Sequence, residues 1–548
     1  MKRLKYLVFI CLIINGVSAN AGTVLESGWK DVVSGNCSDQ GSGWWSSAEA
    51  IRIAENVLLY QKAIGGWPKN INMQLVLTDT QKQALVTAQP NNEGCTIDNN
   101  ATMLELLYLS KVHQVLPDGV TKTKIREGFL KGVQYLLKAQ YSNGGWPQFY
   151  PYRGGYSDHI TYNDNAMINV LNVLRHIYSK DSYYSVTVHD TTITAAANAF
   201  AKGLDCILKT QYIQNGRPTV WCAQHHKTTL VPVMARSYEL ASLSGGESAG
   251  IILLLMSLNQ PSNEVKRAVH YAVEWYKKTE IKGIRVEKFT NTDGLSDVRV
   301  VNDASAANLW ARFYTLEDNR PFFSDRDGIM KFSLAEIGYE RRTNYSWYGS
   351  YGSNVLSTYL SWKTNWGTNI KEETLITLPL PKKTFYTTDT VPVKAYTDEF
   401  STESIQSFEL IFNGQLLKSD SISEIDTILS GLTAGNYEIV AKATYKSGHI
   451  ATDTSKFSVT KLSDLPPSEI AKTLKCYPNP AQSRFTVDLG EINHSLIRIY
   501  NMYGQLVYKT TTNVSILQIN DHGLSPGHYL ITATDNHDNS LVERLLIK

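Results

Sequence analysis

The sequence predicts a multidomain chain: a mainly α-helical body of stacked helix pairs, followed by two small all-β sandwiches. Three observations predict it. The 548 residues exceed one ordinary hydrophobic core. Residues 22–370 carry apolar side chains at helical spacing, as in Ala101 to Val112 and Ala166 to Tyr178. Beyond them the period shortens to two. "SFELIFNG" and "NYEIVAKATYKSG", bounded by Asn-Gly, Gly-Asn and Ser-Gly turns, mark a small sandwich over 375–461. A joint, "LSDLPPSEIAK", leads to a second β unit over 472–548.

The helical body repeats. "LYQKAIGGWPKN" (59–70) matches "KAQYSNGGWPQF" (138–149), and "KTQYIQNGRPTVWC" (209–222) is a weaker third copy. Each reads as a helix end carrying Gln, then a Gly turn, then Trp or Pro; Gly ends the helix and Pro prevents its continuation. "CTIDNNATMLELLYL" (95–109) likewise matches "ITYNDNAMINVLNVL" (160–174). Helix pairs that cannot bury their apolar faces alone must stack on neighbours, as in an α/α toroid. Stacking would bring the turns of successive copies to one rim.

The first 21 residues read as a signal peptide: Lys2, Arg3 and Lys5, a short apolar run, then Ala19-Asn20-Ala21. The expected mature protein is exported. Its net charge of +2 gives no support to nucleic-acid binding by bulk charge. Cys11 leaves with the signal, and Cys37 with Cys95 is a possible disulfide among the five cysteines that remain. No His/Cys spacing suits zinc, and His225-His226 lack partners at metal spacing, so a surface or packing role is expected of them. "SLSGGES" lacks the strand-elbow context of a nucleophilic serine and reads as a turn before a helix.

Asp98 and Asp164 precede predicted helices, and taken singly each reads as an N-cap. Two features point further. Each is followed by an asparagine, Asn99 and Asn165, and each pair follows a Gly-Trp-Pro turn. Hard oxygen ligands of this kind suit calcium, in a site assembled from separate turns. Four arginines lie among aromatic residues: Arg236 in "ARSYEL", Arg312 in "LWARFY", Arg326 in "SDRDG" and Arg341 in "YERRTNY". A guanidinium matches a carboxylate bidentately, which suits an acidic sugar. The plain alternative is pairing with Glu239, Asp325, Asp327 or Glu340. Ser244 with Glu247, and Ser333 with Glu336, read as capping boxes.

Together "GGWPKN", "TIDNNAT", "YNDNAM", "RPTVWCAQH", "ARSYELASLSGGES", "LWARFYTLEDNRPFFSDRDG" and "AEIGYERRTNYSWYG" resemble family 10 polysaccharide lyases, the pectate lyases, over about 50–350. The resemblance implies a partial α/α barrel and calcium-assisted β-elimination on polygalacturonate. By that match Asp98, Asn99 and Asp164 hold calcium, and Arg326 is the base with Arg236 the second choice. Arg236, Arg312 and Arg341 bind substrate. The segments "YPNPAQSRFTVDL", "IRIYNMYGQLV", "GLSPGHYLITATD" and "RLLIK" resemble the C-terminal sorting domain of type IX secretion, which implies that machinery as a partner and a secreted or cell-surface monomer. The competing functions are a glycoside hydrolase using Asp98 and Asp164, and a non-catalytic pectin-binding protein.

Overall fold

The computed structural model describes residues 43–214, 216–367, 372–379, 382–398, 404–461, 474–482, 484–490, 495–501, 506–520, 524, 527–534 and 540–547. The signal segment and Cys37 lie outside them. Cys95, Cys206, Cys222 and Cys476 are buried free thiols among the described residues. There, too, no helix is long and apolar enough to cross a membrane.

Among the described residues, ten helices organise the first unit: α1 (Ala48–Tyr60), α2 (Asp79–Ala88), α3 (Met103–Val115), α4 (Val120–Ala139), α5 (Ala166–Ser179), α6 (Asp190–Thr210), α7 (Gly245–Met256), α8 (Asn263–Lys278), α9 (Tyr339–Thr343) and α10 (Tyr351–Trp366). They pack in two rows. α3, α5, α7 and α10 form one, α1, α4, α6 and α8 the other, and α1/α3, α3/α4, α5/α6, α7/α8 and α8/α10 pack across the rows. One continuous apolar core lies between the rows.

The repeat has a hydrogen-bonding cause. Gln61, Gln140 and Gln211 are the C-cap residues of α1, α4 and α6. Each side-chain amide donates to a carbonyl of its own turn and to one in the next helix of its row. Gln61 reaches Gly65 and Gly128, Gln140 reaches Gly144 and Ala199, and Gln211 reaches Thr219 and Ala268, all within 3.0 Å. Trp67, Trp146 and Trp221 are fully buried. Their indole N–H groups donate to Val57, Leu136 and Ile207, carbonyls near the ends of those helices. Trp310 does the same for α8 through Tyr276. All four tryptophans are therefore packing residues, none of them a wall of a groove.

Gly144 shows how closely the turns approach. Its φ is +92°, and a Cβ there would collide with the Lys202 carbonyl on α6. Gly144→Ala is expected to lower stability by about 3 kcal/mol or more. Urea unfolding of the full chain checks this; an unshifted transition would contradict the packing.

The body is less helical than its spacing suggests. Residues 280–349 are mostly strand and turn. A hairpin pairs β2 (Ile284–Thr290) with β3 (Ser296–Asn302). β1 (Leu243–Ser244), β4 (Phe313–Tyr314), β5 (Pro321–Ser324) and β6 (Met330–Lys331) form a sheet ordered β6-β5-β4-β1. The reason is legible afterwards: "IRVEKFTNTDGLSDVRVVN" alternates about an Asp-Gly turn. A second, aromatic cluster containing Phe313, Phe322, Phe323 and Trp347 packs against this sheet.

The second unit is all β. In 374–460, a three-stranded sheet of β7 (Thr374–Leu378), β9 (Val391–Thr397) and β12 (Glu424–Leu429) shares one core with a five-stranded sheet. The latter is ordered β8 (Thr384–Tyr386), β14 (Ile450–Thr460), β13 (Gly435–Tyr445), β10 (Ile405–Phe412), β11 (Gln415–Asp420). In 475–547, β15 (Lys475–Tyr477), β16 (Arg484–Asp488) and β19 (Ile516–Asn520) form one sheet. The other is ordered β18 (Leu506–Thr512), β17 (Ser495–Asn501), β20 (Gly527–Thr534), β21 (Ser540–Ile547). Alternating inward residues such as Phe485, Val487, Ile497 and Ile531 make the core they share.

Candidate active site

Three acids stand at the N-terminal ends of three neighbouring helices. Asp98 lies in a 3-10 turn (Asp98–Asn100) before α3, Asp164 in a second (Asn163–Asn165) before α5, and Glu247 in the first turn of α7. The two 3-10 turns pack against each other, and the second packs on α7.

Neither aspartate is a helix cap. The N-cap residues are Thr102 and Asn165, without side-chain caps. The turns are instead held in left-handed backbone, with positive φ at Asn99, Asn100, Thr102, Asp164 and Asn165. For Thr102 (φ 70°) this is a costly conformation. Its hydroxyl donates to the Thr96 carbonyl at 2.9 Å and accepts from the Trp67 N–H, which holds the strained turn in place.

Asp98 is only 3% exposed; its Oδ2 pairs with Lys69, and its Oδ1 is buried without a partner. Asn99, by contrast, donates its amide to Asn70 Oδ1 at 2.9 Å. Burial pushes the Asp164 carboxyl above its ordinary range. Arg312 opposes that shift, while Glu247 and Asp98, both negative, add to it.

Arg312 ties the acids to the arginines. Its Nη2 lies 2.6 Å from Glu247, 3.2 Å from Asn163 Oδ1 and 3.5 Å from Asp164, and its buried Nε has no partner. Its guanidinium also lies over Tyr345, 4.6 Å from the ring centroid. Tyr345 meets Tyr238 edge to face at 5.7 Å. Around Tyr238 the other three gather: Arg341 at 4.4 Å, Arg236 at 4.9 Å and Arg326 at 5.6 Å. Cation–ring attraction lets like charges share one small space. The structure thus brings all four predicted arginines together, with Asp164 joined to them through Arg312.

Each arginine also has a carboxylate, as the plainer alternative expected. Arg236 is held by Glu239, Arg312 by Glu247, and Arg326 and Arg341 share Glu340. Hydrogen bonds from Arg341 and then Arg326 pull the Glu340 carboxyl down to about 2. Burial alone would raise Glu239, but hydrogen bonds from Arg236 and Tyr345 outweigh it. The Asp325 and Asp327 side chains turn to backbone N–H groups instead, of Arg326, Gly338 and Ile329. Arg342 faces elsewhere and pairs with buried Asp297 at 2.6 Å.

Sequence reasoning missed Lys69, Glu247, Tyr238 and Tyr345. Glu247 was read as half of a capping box. Ser244 does cap α7, but the Glu247 carboxylate takes Arg312 and the Ser244 hydroxyl. The Gly245-Gly246 pair opens α7 rather than preceding it, and Gly245 lies too close to the Ala311 carbonyl for any side chain. The Ser333–Glu336 box does form, on a 3-10 turn ahead of α9. His225 is a packing residue: buried, accepting from Cys222 N–H, with its other ring nitrogen bonded to Leu230 O at 2.8 Å.

Hard oxygen donors and an orphaned buried Asp98 Oδ1 fit a calcium ion. Among the described residues, however, no three His, Cys, Asp or Glu side chains cluster closely enough to hold a metal alone. Any such ion would need ligands from substrate as well.

Residues 61–356 match the pectic acid lyase family, and residues 475–548 match the secretion system C-terminal sorting domain, which implies a secreted or cell-surface protein. A family 10 polysaccharide lyase of Cellvibrio cellulosa is 37% identical, covering 60% of this chain and 97% of its own, with a TM-score of 0.49. An endo-acting ulvan lyase of Formosa agariphila is 31% identical over 115 residues, 20% of this chain and 22% of its own length. An ulvan lyase of Nonlabens ulvanivorans is 33% identical over 96 residues, 17% of this chain and 18% of its own. The chain thus spans about a fifth of the length of these curated relatives. The family match covers more than half of the chain: it belongs to the pectic acid lyases.

Proposed function

We propose that the protein is an exported pectate lyase, cleaving α-1,4-linked polygalacturonate by calcium-assisted β-elimination to 4,5-unsaturated products, in a body whose two helix rows make a partial α/α barrel. The observation that carries this is one cluster of four arginines gathered on Tyr238 and Tyr345 beside buried and half-buried acids. A neutral sugar offers such arginines no carboxylate to pair with, which disfavours the glycoside hydrolase.

Asp98 and Asp164, with Asn99 beside them, would hold the ion together with the substrate carboxylate. Bound there, calcium would stabilise negative charge developing on that carboxylate as the C5 proton leaves. Arg312 and Arg341 would fix the flanking carboxylates. A neutral guanidine takes the proton from C5, the C–H electron pair forms the C4–C5 double bond, and the C4–O bond breaks with its pair on the departing sugar oxygen, which takes a proton from solvent.

For the base, the family resemblance names Arg326, with Arg236 the second choice. The base must lie near the ion, and be shielded enough to lose its own proton. The Arg326 side chain is 64% exposed and that of Arg236 44%. Both side chains are open to solvent, and the bond to Glu239 keeps Arg236 charged, which counts against it as the base.

The test is incubation with polygalacturonate, with and without calcium, following the ultraviolet absorbance of the unsaturated acid. Absorbance that needs calcium and keeps rising towards alkaline pH is expected, because the base works only when neutral. Acid should release calcium earlier than at an ordinary aspartate pair, because Asp164 takes up its proton at a higher pH. Reducing ends without absorbance would favour hydrolysis; turnover of ulvan alone would overturn the substrate.

A further inference from the structure

We infer that Arg153, seated on Phe149 beside the Asp98 turn, binds the carboxylate of a uronate unit outside the pair that is cut. The inference rests on the lyase reading above and extends the site past its acidic end.

The backbone puts Arg153 there. Phe149 bridges to Thr96, Tyr150 N–H donates to Cys95 O, and Ile97 N–H donates to Gln148 O. The strand carrying Phe149 is therefore the immediate neighbour of residues 95–97, which lead into Asp98. On the Phe149 ring sit two cations: Arg153, 3.8 Å from the centroid, and Lys69, 5.6 Å from it. Lys69 is the partner of Asp98. The two cations thus lie within 9.4 Å of each other across one ring.

The loop is built to hold this position. Asp158, 8% exposed, accepts from the N–H groups of Arg153 (3.2 Å) and Gly154 (2.9 Å), and its carbonyl accepts from the Tyr141 hydroxyl (2.6 Å). Gly154 and Gly155 turn the chain at φ 84° and 69°. That turn leaves Tyr156 38% exposed, while Tyr152 (51%) is stacked on Tyr141 at 5.6 Å.

Charge gives the reason for a ligand. The four arginines around Tyr238 and Tyr345 are each matched by a carboxylate of the protein. Arg153 is exposed and, among the described residues, has no ion pair. A guanidinium stiffened on a ring and left unneutralised is prepared for an incoming carboxylate at little cost in side-chain entropy.

The test uses the full chain on native gels containing polygalacturonate or highly methyl-esterified pectin. Arg153→Ala should weaken binding to polygalacturonate about tenfold, the worth of one charge-assisted pair. Arg153→Lys should restore most of it, and neither variant should differ from wild type on the esterified polymer. In turnover assays KM should rise with kcat unchanged. Wild-type retardation of Arg153→Ala on polygalacturonate would overturn the inference. So would equal losses in Ala and Lys variants with a lowered melting temperature, or a wild type that polygalacturonate does not retard. Retardation of the wild type without unsaturated product would instead sink the lyase reading, while the gel comparison still decides on Arg153.

Discussion

Asp98→Asn is expected to lower kcat/KM on polygalacturonate about a thousandfold, and to raise the calcium concentration needed for half-maximal rate. The substitution keeps the shape of a side chain that is 3% exposed and removes only its charge. Its orphaned Oδ1 is the atom best prepared for a cation. The fold should survive, because Lys69 is 31% exposed and water can solvate it once its partner is neutral. An Asp98→Asn protein with wild-type turnover and wild-type calcium response would end the assignment of the metal to this turn.

Arg326→Ala should cost more than a thousandfold in kcat, whereas Arg236→Ala should act mainly on KM, by about tenfold. Removing Arg236 strips buried Glu239 of its strongest partner, leaving it the Tyr345 hydroxyl at 2.7 Å. Destabilisation could therefore imitate lost chemistry. The double variant Arg236→Ala/Glu239→Gln removes that stranded charge. If it melts like wild type and still does not turn over, the loss belongs to the reaction. The reverse pattern, with Arg236→Ala dead in kcat and Arg326→Ala active, would move the role of base to Arg236.

The helical repeat was legible because its chemistry is local: a Gln, a Gly turn and a Trp recur at fixed offsets. Asp98 and Asp164 were found by the same repetition. Glu247 occupies the third position of that rim, but there the local motif is Ser-Gly-Gly-Glu and reads as a cap. Lys69 was hidden by the repeat itself, since the matching place in the second copy is Gln148. Tyr238 and Tyr345 could not be found along the chain, because their role is to gather arginines from four separate segments. The strands of 280–349 were missed for a different reason. Most are two to four residues long, too short to show a period, and the one long hairpin was overlooked within a helical context.

The amide links between successive helix ends carry a consequence for how this body comes apart and how it could be lengthened. Each glutamine answers a carbonyl that belongs to its neighbour, so peeling away one helix pair strands polar groups on the pair that stays. Loss of order should spread through the row rather than stop at one hairpin. An insertion of one whole copy, Gln to Gln, would close every such bond again, whereas a cut at any other place would leave one open.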